Sequence, residues 1–304
     1  MELAENYFER LPKEEKTSEE IVRPSMTFWQ DAWRRLRKNR LAMIGMYVLI
    51  AIILIAIFGP MISPYTYSDQ TLSMANQPPS SAHPFGMDNL GRDLMTRVFY
   101  GARISLSIGF IVAACTLVIG ILYGGISGYV GGMVDTVMMR IVDVLYIIPS
   151  TLYVILLMLI IGPGFNSVII ALGATSWLGM ARQVRGQVLS LKEQEFVLAA
   201  KALGADSRRI LLRHLIPNSL GPIIVVATMQ IPNAIFNEAF LSFIGLGVSA
   251  PEASWGVLCN DALPALRTAP HELFFPALAI TITMLAFSFF GDGLRDALDP
   301  KMRK

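Results

Sequence analysis

Charge is what this chain has least of. Only 16% of its 304 residues are Asp, Glu, Lys or Arg, where a soluble globular domain carries about 25%. Together with 54% hydrophobic residues, this excludes an ordinary water-soluble domain and identifies an integral membrane protein. No G-x-x-x-x-G-K-[ST] string occurs, so the chain has no P-loop to cradle a nucleotide. The histidines, His83, His214 and His271, are too scattered to read as a metal site, and no Ser-His-Asp arrangement is evident. Cys115 lies within an apolar run and Cys259 in a loop, which offers no disulfide framework. Neither a catalytic constellation nor a metal site is expected, and nothing in the composition points to nucleic acid.

Long apolar runs are what the chain does have. They cover Leu41 to Ile62, Ile104 to about Gly124, Val144 to Ala181, Leu215 to Asn237 and Leu273 to Gly291. About 20 such residues cross the hydrocarbon core as a helix. The run from Val144 has no charge for 38 residues and holds Gly162-Pro163-Gly164 at its middle. It therefore reads as two short spans joined by a tight turn. The expectation is an all-α integral membrane protein of six transmembrane helices, with every backbone group satisfied internally. Of the 25 Lys and Arg, all but Arg92, Arg97, Arg103 and Arg267 fall on one side of this arrangement. The positive-inside rule puts that side, with both termini, in the cytoplasm. The first 40 residues are acidic in part and lack a small-residue cleavage site, so they are not read as a secretory signal. From Ser25, Phe28, Trp29, Trp33 and Leu36 alternate with Asp31 and a run of basic residues, as in a helix lying at the lipid interface.

One cytoplasmic segment is helical in its spacing. Glu195 to Pro217 reads EFVLAAKALGADSRRILLRHLIP. Phe196, Ala199, Ala200 and Leu203 recur at i, i+3, i+4 and i+7, one face of a short helix. Gly204 breaks that helix. Asp206 can cap a second one carrying Arg208, Arg209 and Arg213, which Pro217 is expected to end. Small alanines followed by a glycine hinge suit a knob that fits closely into another protein's groove. An amphipathic hairpin lying on the lipid is the plainer alternative.

This segment resembles the coupling loop of ABC importer permeases, whose motif is EAA, three residues, Gly, nine residues, then I-x-L-P. Ala199, Ala200 and Gly204 fall in register, and Leu215, Ile216 and Pro217 follow at the right distance. Leu198 stands where the motif has its glutamate, with Glu195 three residues earlier, and His214 replaces the first isoleucine. Three further strings resemble the C-type permeases of dipeptide and oligopeptide importers. They are FGMDNLGRDLMTRVFYGARISL from Phe85, EAFLSFIGLGVSAPEASWG from Glu238 and GDGLRDALDPKMRK from Gly291. The resemblance implies the ABC transmembrane type-1 importer permease fold, with residues 104–295 as that domain. Residues 1–40 form an N-terminal extension, 41–62 the first transmembrane helix, 63–103 an external loop and 296–304 a cytoplasmic tail. It implies a heterodimer with a homologous second permease, two ABC ATPase subunits that hold ATP and Mg, and an extracytoplasmic peptide-binding protein. The setting would be a bacterial or archaeal cytoplasmic membrane. Coupling to the ATPases would run through Glu195, Ala199, Ala200, Gly204, Ala205, Asp206 and Pro217. Nickel or glutathione are the alternative cargoes within the same architecture.

Charges elsewhere carry structural and functional readings side by side. Arg92 and Asp93, among turn glycines, are expected to hold the external loop together. Arg140 and Asp143 can pair at i,i+3. Glu238 stands in a run otherwise free of charge, near the outer end of its span. It reads either as a translocation or gate residue or as a structural one that caps a helix or pairs with a loop arginine. Gly245 to Glu272 is too long for a turn and is expected to pack at the external mouth, with Trp255 suited to an interface or docking surface. A secondary transporter is the reading from a different class, and it would need buried carboxylates or histidines in several spans.

Overall fold

The computed structural model describes residues 27–299. The first 26 residues of the N-terminal extension and the last five of the tail lie outside the described residues. Helix α1, Phe28–Lys38, is closed by a capping box in which Gln30 N–H donates to Thr27 Oγ1 and Thr27 N–H to Gln30 Oε1. Asp31 in its first turn and Arg37 and Lys38 in its last oppose the helix dipole. Ala32 and Leu36 face inward, while Trp29 and Trp33 are exposed on the other side. Asn39 ends α1 and caps α2, Arg40–Ile62, by accepting from Ala42 N–H at 3.2 Å.

The remaining elements are α3, Leu94–Val130; α4, Gly132–Ile147; α5, Ser150–Ile161; α6, Phe165–Lys192; α7, Glu195–Ala202; α8, Ser207–Arg209; α9, Ile216–Phe243; α10, Trp255–Asp261; and α11, His271–Leu298. Four helical stretches are long and apolar enough to cross a membrane: α2, α3, the continuous helix from Ser207 to Phe243, and α11. The pair α4–α5 makes a fifth only as a broken span, bent by 82° at Ile148-Pro149. Pro149 has no N–H to continue the helix, and it pushes Ile148 into an extended backbone. The simple third span expected from Val144 is therefore two half-helices. At 28 residues α6 matches the other spans in length, but Asn166, Ser167, Thr175 and Ser176 in its first part and Arg182, Arg185 and Lys192 in its second make it less apolar than the four.

Two other boundaries differ from the sequence reading. Helix α3 starts at Leu94 rather than Ile104 and runs for 37 residues, about 55 Å. Its early charges find partners: Arg97 pairs with Asp88, and Arg103 donates to the Ala56 and Ile57 carbonyls of α2 at 3.1 and 2.9 Å. Pro217 ends no helix. It sits in the first turn of α9, where a π segment, Ile210–Leu215, passes into α register. A change of register leaves a carbonyl unpaired in any case, so the missing N–H of Pro217 is tolerated there.

Helices α3 and α6 form the closest pair, through small residues. A Cβ at Gly120 would stand 2.3 Å from Met180 Cγ, at Gly124 2.2 Å from the Ala181 carbonyl, and at Gly128 3.0 Å from the Arg185 carbonyl. Glycine at every fourth position keeps one helix face bare, so the backbones meet directly. One core cluster packs Leu94, Val98, Trp255 and Phe287 near the start of α3, and another packs Met180, Val184, Val197, Ile210 and Ile223 near its far end.

Candidate functional sites

Helix α7 has one fully buried side chain and shows most of the rest. Val197 is fully buried in the cluster with Met180 and Val188, whereas Phe196 and Leu198 are 41% and 53% exposed and Leu203 is 88% exposed. Glu195 opens the helix as an exposed acid beside its positive end. Ala199 and Gly204 are also exposed, and Ala200 and Ala205 are half-buried. The turn is a Schellman motif, with Ala205 N–H on the Ala200 carbonyl and Gly204 N–H on the Lys201 carbonyl. Gly204 has φ +80°, and a Cβ there would meet nothing within 4 Å, so backbone conformation alone requires glycine. Asp206 accepts from Arg209 N–H at 3.1 Å and starts α8. The whole is a rigid apolar knob on a short stalk, and the next helix runs from it without interruption into the span.

At the opposite end of α3, Arg92 and Asp93 belong to a buried polar cluster. Asp88 accepts from Arg92 Nε at 2.7 Å and from Arg97, and its other oxygen accepts the Leu90 and Arg92 backbone N–H groups. Asp93 caps α3 by accepting from Thr96 N–H at 2.8 Å, and it pairs with His83 Nδ1 at 2.9 Å. Arg92 and Arg97 each reach Asp261 of α10 at 3.5 Å, tying the loop to the segment before α11. Gly91 is forced by the same compactness, since its Cβ would lie 2.0 Å from the Thr71 carbonyl.

Trp255, expected at an interface, is 1% exposed, and its indole donates to the Val98 carbonyl at 3.0 Å. Glycine at 101 opens the space for it, with a Cβ there falling 3.2 Å from the indole. Glu238 lies in the same layer with no exposure. It accepts from Ser105 at 2.9 Å and Ser242 at 2.7 Å, and Ser105 also accepts from Trp255 N–H. Among the described residues no arginine pairs with its carboxylate. At the other end, Asp143 pairs with Arg182 at 2.6 Å instead of Arg140, and Asp135 takes both guanidinium arms of Arg185 at 2.6 Å. The α4 carboxylates thus clamp α6, whose Arg185 carbonyl lies close against Gly128 of α3.

Between the α4–α5 break, α6 and α9 lies a cavity of about 400 Å³. Gln230, Asn233 and Asn237 of α9 line it, facing Ser150, Thr151 and Tyr153 of α5. Sequence reading passed over these amides, although i, i+3, i+7 spacing within an apolar run was the signal that marked them.

A bundle of apolar helices with a broken span, a polar central cavity and a protruding apolar knob defines a multi-pass membrane permease. The chain belongs to the binding-protein-dependent transport system inner membrane components, whose family model matches residues 117–304; the N-terminal TM domain of oligopeptide transport permease C matches residues 27–79. It is 50% identical over 304 residues to the dipeptide transport system permease protein DppC of Bacillus subtilis (strain 168), spanning 100% of this chain and 95% of that one. It is 52% identical over 302 residues to the oligopeptide transport system permease protein OppC of the same organism, covering 99% of each. OppC of Escherichia coli (strain K12) is 45% identical over 291 residues, 95% of this chain and 96% of its own. Among solved structures, the MetNI methionine ABC transporter in an inward-facing conformation shares the fold, with a TM-score of 0.52 at 20% identity over 68% of this chain and 98% of its own.

Proposed function

We propose that this chain is the permease subunit of an ATP-driven peptide importer, forming half of the translocation pathway and borrowing its energy through α7. The relatives named for dipeptide and oligopeptide transport support the peptide cargo over nickel or glutathione. The observation that carries the coupling role is the exposure of Phe196, Leu198 and Leu203 around a helix whose one fully buried side chain is Val197. Apolar side chains at the solvent end of a membrane protein are stable when a partner covers them. ATP-driven closure of two partner ATPases would push α7, and the uninterrupted helix from Ser207 to Phe243 would carry the displacement to mid-membrane. The partners are a homologous second permease and an extracytoplasmic peptide-binding protein, with both termini and α7 in the cytoplasm as the basic residues indicate. The chain has no catalysis of its own; ATP and Mg bind the ATPase subunits. A secondary transporter lacks support, since Glu238, the buried carboxylate of α9, is held by serines and is not among the residues that line the cavity.

Purification of the chain alone and with its partners tests this. The lone chain should show neither ATPase activity nor specific ATP binding, and the assembled complex should hydrolyse ATP and take up peptide in proteoliposomes. ATPase activity in a preparation free of partner subunits overturns the coupling-subunit reading.

A further inference from the structure

The central cavity holds a feature that coupling does not use. Gln230, Asn233 and Asn237 stand on one face of α9, running from the middle of its 28 residues towards its end. Asn233 is exposed and Gln230 and Asn237 are half-buried. Among the described residues none of the three carboxamides makes a hydrogen bond. Two of the lining hydroxyls, by contrast, are satisfied within their own helix: Thr175 and Ser176 donate to the Leu172 carbonyl at 3.2 and 2.7 Å. Unpaired amides at this depth are unfavourable against lipid and stable against water or a polar cargo. A cavity of about 400 Å³ falls within the roughly 300–1,000 Å³ of small-molecule sites.

The lining is also defined by what it excludes. No Asp, Glu, Lys, Arg, His or Cys is among the residues that form the cavity. A free divalent cation would find neither carboxylate nor imidazole there. Each carboxamide offers one acceptor oxygen and two donor hydrogens, the complement of a peptide bond. From Gln230 to Asn237 the ladder rises about 10 Å, and an extended peptide advances about 3.3 Å per residue. The ladder therefore spans about three residues of cargo.

Resting on the peptide-importer reading above, we propose that Gln230, Asn233 and Asn237 form a carboxamide ladder that receives the main chain of the passing peptide. Recognition of the shared backbone makes passage indifferent to cargo side chains, and a charge-free wall neither traps nor repels ionic ones. Selectivity for charge is absent here because charge is absent from the lining.

The test places a charge on the ladder and reads a ratio. The complete complex in proteoliposomes, with its binding protein saturated, is given radiolabelled Ala-Lys-Ala or Ala-Glu-Ala. Asn233→Asp should raise the ratio of Lys- to Glu-peptide uptake at least fivefold, and Asn233→Lys should lower it by a similar factor. A folding or assembly defect would reduce both peptides alike, so the ratio separates the two causes. Asn237→Leu should slow both peptides, and Asn237→Gln, which keeps the amide, should restore them. Unchanged ratios in both charge variants overturn the ladder while leaving peptide import intact. A wild-type complex that imports neither peptide overturns the peptide-importer reading itself.

Discussion

Replacing Gly124 with alanine tests the central packing claim, that α3 and α6 meet backbone to backbone. The new Cβ would lie 2.2 Å from the Ala181 carbonyl oxygen and 3.0 Å from Arg185 N. Ordinary C···O contacts begin near 3.3 Å, so the helices must part by roughly 1 Å. Both obstacles are main-chain atoms, which cannot rotate away as a side chain would. Overpacking of this kind costs about 1–3 kcal/mol, and a backbone obstacle belongs at the upper end. Alanine returns about 0.5–1 kcal/mol through helix propensity. The net loss is about 2 kcal/mol, a shift in apparent Tm on the order of 5 °C. Its neighbour supplies the control. A Cβ at Gly125 meets nothing closer than Leu211 Cδ1 at 3.8 Å, so Gly125→Ala should be neutral or stabilising by up to about 1 kcal/mol. Thermal unfolding of the purified complex in detergent, followed by a thiol-reactive dye or by loss of monodispersity, measures both. Equal behaviour of the two variants would refute the close approach at Gly124.

Gly204→Asp should abolish peptide uptake with the chain still in the membrane, because a carboxylate at a desolvated contact costs on the order of several kcal/mol. Ser190→Asp, exposed before α7, should be milder, and normal uptake by Gly204→Asp counts against the coupling role. Asp88→Ala leaves Arg92 and Arg97, 6% and 2% exposed, with only Asp261 at 3.5 Å as a counter-charge, and should destabilise the chain by about 3 kcal/mol, the lower end for a broken buried pair. Glu195→Gln, on an exposed position, should stay within about 0.5 kcal/mol in the same unfolding assay. Burial, with Glu238 nearby, pushes the Cys259 thiol up to about 11. The thiolate is therefore scarce at neutral pH and grows only as pH rises towards that value, so Cys259 should resist maleimide at pH 7.5. With the half-buried Cys115 also replaced by serine, membrane-impermeant maleimide added to intact cells should label Asn76→Cys and Leu266→Cys and spare Ser207→Cys. Labelling of Ser207→Cys in sealed cells would reverse the orientation.

Local chemistry was legible from the residues alone. The stop at Gly204 follows from its spacing in a helical repeat, and the cap at Asp206 needs only the N–H three residues on. The break at Gly162 to Gly164 likewise depends on glycine and proline and on nothing distant. The apolar character of the spans is a property of composition, and the family strings are contiguous. Pairings across the bundle were another matter. Asp143 has Arg140 on its own helix, yet it takes Arg182, 39 residues away, because helices crossing at bare glycines bring α6 nearer. Trp255 reads as an interface residue until Gly101 of α3 is seen to make room for it. Glu238 reads equally as a gate residue or a structural one, and only the fold shows which groups, Ser105 and Ser242, meet its oxygens. The amides of α9 acquire meaning only opposite a helix broken at Pro149. Periodicity says which residues share a face, since that is set by the turn of one helix. What the face meets is decided by which other helices can approach, and here that depends on glycines and a proline far away in the chain.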